Sequence, residues 1–176
     1  MTKSASTILL EDSSSFSEYK TYDIFLSHSS KDADVIYALK KDLEGFNYSV
    51  YVDWIEDPDM DRSKVNPDTA KRLQKRMDAC SCLLYATSPN ASNSKWMPWE
   101  LGYLDGKKQR VAILPISDTI TNSNIFTGQE YLGIYPYITK EVPKNSTIEL
   151  LWVQSDLASY VEFDSWLKYG SKPYKH

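Results

Sequence analysis

Apolar residues along this chain gather in short runs of strand type, and longer segments with helical spacing separate these runs. The run at residues 111–116 is apolar throughout, which is typical of a strand buried on both faces of a parallel sheet. The predicted strands are Tyr22–Ser27, Tyr48–Val52, Cys82–Ala86, Val111–Ile116 and, as a plausible fifth, Tyr131–Ile138.

The intervening segments carry start and stop signals of helices. In the first, apolar residues recur three and four positions apart and Gly45 is a natural stop. In the second, Asn66 is a suitable N-cap and Pro67 a suitable first residue. Its inward face is predicted to be Ala70, Leu73, Met77 and Cys80, and its solvated basic face Lys71, Arg72, Lys75 and Arg76. A last helix is predicted over residues 156–169.

Strands that alternate with helices predict an α/β fold, with helices on both faces of a parallel sheet. Ligands of such sheets bind outside the carboxyl ends of the strands, near the point where the strand order reverses. The polar loops at 28–32, 53–65 and 87–100 follow the first three strands and therefore meet at this edge. The second of them is long and contains Pro58, and we expect it to lack regular structure.

The chain has 176 residues, which suffices for one domain with a full hydrophobic core. Residues 1–19 are rich in serine and have no sustained periodicity, so we expect a flexible leader. Residues 20–176 are expected to form a single domain with an extended C-terminal portion.

Composition excludes several classes of function. A formal net charge of −4 argues against a nucleic-acid partner, and no apolar run is long enough to cross a bilayer. We therefore expect a soluble, cytoplasmic protein. With only His28 and His176 to accompany them, Cys80 and Cys82 are interpreted as reduced residues and not as part of a metal site. No glycine-rich phosphate loop and no nucleophile elbow is present.

One carboxylate stands out, because Glu100 lies among Trp96, Pro98 and Trp99 where a helix begins. Pro98 fits the first helical position with Met97 as the cap; alternatively, Ser94 is the cap and Pro98 falls in the second turn. A glutamate in a first turn is favoured by the helix dipole alone. Its position at the ligand edge of the sheet favours a functional role.

Three segments in the right order resemble a TIR (Toll/interleukin-1 receptor) domain. Residues 22–32 resemble the first strand and loop of that family, and residues 51–54 the end of its second strand. Residues 96–100 match the W-x-x-x-E arrangement of its enzymatic members. The resemblance covers about residues 20–116, and residues 131–166 are similar to the closing region of bacterial antiphage TIR proteins.

The resemblance implies a flavodoxin-like sheet of five parallel strands and cleavage of NAD⁺ at the nicotinamide–ribose bond. NAD⁺ is then a substrate, with no cofactor and no metal. Glu100 takes the position of the catalytic glutamate. The positions expected to contact substrate are His28, Ser29, Ser30, Asp53, Trp54, Trp96 and Trp99. Some relatives carry arginines after the first strand, where this chain has Ser29 and Ser30. We expect Arg62 or Lys64 to make the phosphate contacts in their place.

Thoeris-type relatives use this chemistry to make a nucleotide second messenger that activates a separate effector in antiphage defence. The resemblance also implies homo-oligomers through TIR–TIR contacts. A carboxylate suits the reaction, because departure of neutral nicotinamide leaves an oxocarbenium ion. Two alternatives stay open: a non-catalytic TIR scaffold for signalling assembly, and a nucleoside deoxyribosyltransferase-like enzyme.

Overall fold

Strands and helices follow one another through the computed structural model, which describes residues 20–63, 66–116, 130–144 and 146–176. The strands are β1 (Tyr22–Ser27), β2 (Val50–Tyr51), β3 (Cys80–Thr87), β4 (Val111–Pro115), β5 (Tyr137–Glu141), β6 (Leu150–Asp156), β7 (Ser159–Glu162) and β8 (Tyr174–Lys175). The helices are α1 (Ala33–Gly45), α2 (Asp53–Glu56), α3 (Pro67–Asp78), α4 (Met97–Lys108) and α5 (Phe163–Tyr169). The predicted leader and Lys64 lie outside the described residues.

All of these strands join one sheet in the order β2-β1-β3-β4-β5-β6-β7-β8. The first five in chain order pair in parallel, as predicted, and β6, β7 and β8 extend the sheet in antiparallel fashion. The chain passes from β1 to β2 on one side and returns to β3 on the other. The strand order therefore reverses at the carboxyl ends of β1 and β3, where such sheets bind ligands.

Two apolar layers cover the sheet, because alternate residues of each strand face opposite sides. In β1, Ile24 and Leu26 are buried on one face and Phe25 on the other. The first face packs against α1 and α5 through Ile36, Leu43, Phe163, Trp166 and Leu167. The second packs against α3 and α4 through Leu73, Met77, Met97, Leu101 and Leu104. The predicted α/β class, with helices on both faces, is confirmed.

The C-terminal region departs from prediction. Residues 156–162 belong to a β-hairpin, so only the second half of the predicted last helix is helical. The turn forms because the Asp156 carboxylate accepts a hydrogen bond from the Ala158 amide at 2.8 Å. Leu157, at its tip, is exposed. Period-2 burial along β6, with Leu151 and Val153 inside, is the pattern of a strand with one buried face.

Three boundaries also differ from prediction. The fifth strand begins at Tyr137, since residues 130–134 form a 3₁₀ turn and Pro136 lacks a backbone N–H. The second strand is confined to Val50–Tyr51. The loop expected at 53–65 begins with the short helix α2.

The two cysteines are free and buried at the start of β3, as expected of reduced residues. Burial raises the pKa of both thiols. Cys80 opens the strand and does not extend the face of α3. No helix among the described residues is long and apolar enough to span a bilayer.

Candidate active site

The helix that carries Glu100 starts one residue before the first predicted arrangement and two residues after the second. Met97 is its first residue, Trp96 is at the cap position and Pro98 is second. The Ser94 hydroxyl accepts a weak hydrogen bond from the Met97 amide at 3.3 Å, so Ser94 contributes a capping contact, whereas Met97 is a helical residue and not the cap. Pro98 costs nothing there because the first amides of a helix have no intrahelical partner.

Glu100 is completely buried at the switch point of the sheet, and both of its carboxylate oxygens are occupied. Oε2 accepts a hydrogen bond of 2.6 Å from the hydroxyl of Ser27, the last residue of β1. Oε1 accepts one of 2.5 Å from Nη2 of Arg62. A buried carboxylate needs such partners, since an unpaired charge in this position is very costly.

Arg62 bridges two carboxylates. Its Nη1 donates to Oδ2 of Asp53 at 2.5 Å, while Nη2 holds Glu100. Burial disfavours the charged guanidinium, but the carboxylates of Glu100 and Asp53 outweigh burial and hold the pKa of Arg62 above its ordinary value. Arg62 is therefore a permanent cation between two anions.

His28 and Trp54 complete the cluster around Asp53. Nδ1 of His28 lies 2.8 Å from the Leu26 carbonyl oxygen, and the Trp54 indole N–H donates to Nε2 of His28 at 3.2 Å. A carbonyl only accepts and an indole only donates, so this network assigns a neutral imidazole with its proton on Nδ1. Oδ1 of Asp53 lies 3.4 Å from Nε2 of His28 and has no hydrogen-bond partner in the described part of the chain.

Trp96 and Trp99 have different surroundings. Trp96 is buried, and its indole N–H donates to the backbone oxygen of Arg62 at 2.9 Å. Trp99 is half-buried, packs edge-on against Trp96 with ring centroids 5.6 Å apart, and stacks on Tyr103 at 5.9 Å. Trp96 thus fixes the segment that carries Arg62 to the start of α4.

Residues 57–63 are anchored by a buried ion-pair cluster around Asp57, which has no exposed surface. Its carboxylate accepts hydrogen bonds from the Tyr51 hydroxyl at 2.7 Å and from Nε and Nη2 of Arg76 at 2.7 and 2.8 Å. Arg72 adds a further bond at 2.7 Å. The prediction of a solvated basic face is therefore wrong for Arg72 and Arg76, which neutralise Asp57.

Comparison with known proteins assigns the family. Residues 24–133 match the family model described as a TIR domain. This chain belongs to the TIR family. It is 50% identical over 166 residues, 94% of its length and 86% of the relative's, to the "Probable 3′ cyclic ADP-D-ribose synthase ThsB′" of Bacillus cereus (strain MSX-D12).

Two further similarities are more distant. The chain is 33% identical over 93 residues to TIR2 of Cytobacillus dafuensis, which is named a candidate cyclic ADP-D-ribose synthase. This match covers 52% of our chain and 24% of TIR2. Among solved structures, the TIR domain of the Toll-related receptor TRR-2 from Hydra magnipapillata matches with a TM-score of 0.45 and 16% identity. That match covers 57% of this chain and 75% of the other.

The predicted site residues of the TIR domain separate into two groups. One continuous network through Arg62 contains Glu100, Asp53, His28, Trp54 and Trp96, and Trp99 adjoins it by packing edge-on against Trp96.

The second group comprises Ser29 and Ser30, which donate no hydrogen bond to the Glu100 carboxylate among the described residues. Ser29 is buried, and its side chain accepts a weak bond from the Lys31 amide, whereas Ser30 is exposed. The loops after β1 and β3 are nevertheless joined, because Asp32 accepts hydrogen bonds from Ser88 at 2.5 Å and Asn90 at 2.6 Å.

Sequence reasoning missed two roles in the TIR site. The sequence pattern predicts Ser27 only as the end of a strand, although the last residue of such a strand lies at the edge where ligands bind. Arg62 is predicted only for phosphate contacts, and the structure shows it paired with Glu100. Among the described residues no group of His, Cys, Asp and Glu side chains is arranged to hold a metal.

Proposed function

We propose that this TIR protein is an enzyme that cleaves NAD⁺ at the nicotinamide–ribose bond, with Glu100 as the catalytic residue. The observation that carries this assignment is the fully buried carboxylate of Glu100 at the switch point, hydrogen-bonded by Ser27. The relationship to two proteins named as cyclic ADP-D-ribose synthases supports the class of reaction predicted from the sequence.

The chemistry uses the negative charge of Glu100. The C–N bond breaks, nicotinamide leaves as a neutral base with the bonding electron pair, and the ribosyl carbon becomes an oxocarbenium ion. A carboxylate placed before the reaction stabilises this developing cation without reorganisation. Glu100 also accepts hydrogen bonds from the ribose hydroxyls and so orients the sugar.

The second step decides the product. We propose that a hydroxyl of the adenosine ribose attacks the oxocarbenium carbon, which forms a C–O bond and releases one proton. A buried site favours this internal nucleophile because competing water is excluded. The net reaction converts NAD⁺ into cyclic ADP-ribose, nicotinamide and a proton, consistent with the name of the Bacillus cereus relative.

The surrounding residues are proposed as the substrate-binding surface. Trp54 is 37% exposed with its indole N–H fixed by His28, so its ring presents a planar apolar surface beside the cluster. Such a surface can stack on a planar ring of NAD⁺. The remaining proposed contacts are His28, Ser29, Ser30, Asp53, Trp96 and Trp99.

We extend this proposal to the biological setting that the family resemblance implies. The protein assembles with further copies of itself through TIR–TIR contacts in the cytoplasm. Its product is a second messenger that activates a separate effector in antiphage defence.

Analysis of the products from NAD⁺ tests the reaction. Purified protein at several concentrations is incubated with NAD⁺, and the products are separated and weighed by mass spectrometry. We expect equal amounts of nicotinamide and a compound one water lighter than ADP-ribose. ADP-ribose as the sole product would contradict cyclisation, and intact NAD⁺ at every concentration would favour a scaffold. Base exchange on deoxynucleosides would instead indicate the deoxyribosyltransferase-like enzyme.

Ser27→Ala tests whether the hydroxyl at the end of β1 positions Glu100. Loss of a hydrogen bond to a charged group is worth about 1.5–3 kcal/mol, so we expect NAD⁺ turnover to fall roughly 10- to 100-fold. Ser81→Ala, at an exposed position of β3, is the matched control and should leave turnover unchanged. Equal turnover of both variants and wild type would remove Ser27 from the mechanism. Ser27→Thr, which restores the hydroxyl, should recover part of the loss.

A further inference from the structure

The Arg62 guanidinium binds Glu100 at the place where the proposed reaction forms a positively charged ribosyl group. Glu100 has no exposed surface, and one of its oxygens is bound by the guanidinium of Arg62. In the reaction proposed above, this carboxylate faces a ribosyl group that carries positive charge. Both cations cannot occupy the same face of one carboxylate.

Arg62 is placed so that it can leave Glu100 without leaving the site. Its backbone oxygen is held by the Trp96 indole, and its Nη1 is held by Asp53. Its side chain is 17% exposed, whereas that of Glu100 is fully buried. A rotation of the side chain that keeps Nη1 on Asp53 would break the contact with Glu100 and leave the backbone in place.

Asp53 can bind the Arg62 guanidinium without help from Glu100. Its Oδ1 is buried and has no hydrogen-bond partner in the described part of the chain, because the facing Nε2 of His28 accepts from Trp54. A guanidinium presents its donors as a planar fork that matches both oxygens of one carboxylate. Arg62 released from Glu100 would gain this bidentate contact.

We propose that, in the substrate-free site, Arg62 occupies the position that the positively charged ribosyl–nicotinamide group of NAD⁺ takes when substrate binds. Substrate enters by displacing the Arg62 guanidinium from Glu100. The exchange keeps Glu100 paired with a cation before and after binding, so the carboxylate is never buried alone. The ligand class of the position is thus a cation, whichever molecule supplies it. This inference rests on the proposed NAD⁺ cleavage, but its first test does not use NAD⁺.

The first test restores the missing cation with a small molecule. Arg62→Ala removes one partner of a buried pair whose side chain is 17% exposed, so we expect the melting temperature to fall by about 6–12 °C, the lower part of the range for such a loss. Guanidinium chloride at about 20 mM, far below denaturing concentrations, should raise the melting temperature of this variant relative to equal sodium chloride. Wild type should show no such rise, and the Arg62→Ala/Glu100→Gln double variant, which keeps only the Asp53 carboxylate, should show a smaller one. Equal responses of all three proteins would overturn the assignment of a cation position beside Glu100.

The second test measures the exchange during turnover with Arg62→Gln, which is uncharged and retains hydrogen-bonding capacity toward the two carboxylates. Without a cation to displace, the KM for NAD⁺ should fall, on the order of tenfold, with little change in kcat. In Arg62→Ala, guanidinium should act as a competitive inhibitor against NAD⁺. A higher KM for Arg62→Gln would overturn the inference, because Arg62 would then contribute to holding the substrate.

The two failures can be distinguished. If wild type releases no nicotinamide but guanidinium stabilises Arg62→Ala more than the double variant and wild type, NAD⁺ cleavage is wrong and the cation position stands. If wild type cleaves NAD⁺ but guanidinium affects neither stability nor KM of Arg62→Ala, the reaction stands and the exchange is wrong.

Discussion

Glu100→Gln is expected to lower nicotinamide release from NAD⁺ by a factor of at least about 10²–10³, the usual effect of removing one preorganised electrostatic contact to a transition state. Glutamine preserves the shape of the side chain: its amide oxygen can accept from Arg62, and its NH₂ group can donate to the Ser27 hydroxyl. It lacks the negative charge that stabilises the oxocarbenium ion. The loss should therefore appear in kcat, because the charge matters most in the transition state.

The measurement is nicotinamide release under saturating NAD⁺, with circular dichroism to verify the fold. The matched control is Glu149→Gln, which removes an exposed carboxylate that contacts only Lys140 among the ion pairs of the described residues. It should retain full activity. Undiminished turnover of Glu100→Gln would exclude Glu100 as the catalytic charge and return the position to a structural role at the start of α4.

Asp57→Ala should be the most destabilising of the changes considered, with a loss of about 3–5 kcal/mol in the free energy of unfolding. The carboxylate is wholly buried and neutralises Arg72 and Arg76, so its removal leaves two guanidinium groups without their shared partner. For a chain of this size, that loss corresponds to a fall of about 6–20 °C in melting temperature.

Asp59→Ala provides the matched control, because Asp59 pairs with the same Arg72 while its side chain is 71% exposed. An exposed pair contributes about 0–1 kcal/mol, so this variant should melt close to wild type. Denaturant unfolding of the three proteins compares the two carboxylates directly. Similar stabilities of the two variants would contradict a structural role for the buried cluster.

In wild type, acid should remove the stabilisation that the Asp57 carboxylate provides. Burial acts to raise the pKa of Asp57, but the hydrogen bonds from Arg76, Tyr51 and Arg72 outweigh burial and hold its pKa below the ordinary range. Its contribution is therefore complete above the pKa of an unfolded aspartate, about 3.9, and is lost as the pH falls through the lower folded value. The stability of Asp57→Ala should decline less steeply over this acid range than that of wild type.

Local signals in the sequence were sufficient for much of this TIR fold. The β1 run, the capped start of α3 at Asn66 and Pro67, and the stop of α1 at Gly45 all lie where the pattern predicts. These features depend on interactions within a few residues. The helix predicted over residues 156–162 is wrong because Tyr160 and Val161 fit a helical stripe as well as a strand, and only pairing with β6 decides between them.

The candidate site likewise combines features that local sequence determines with features that depend on long-range contacts. The sequence by itself determined the fold class, the family and the position of Glu100 at the ligand edge, since periodicity and the W-x-x-x-E spacing are local. Only the tertiary structure brought Ser27 and Arg62 to the Glu100 carboxylate, across 73 and 38 residues of chain. Such contacts depend on strand order and loop anchoring, which no short-range pattern encodes. The physical reason for both partners is the same: a charge that folding removes from water must find its compensation in whichever distant segments the fold brings beside it.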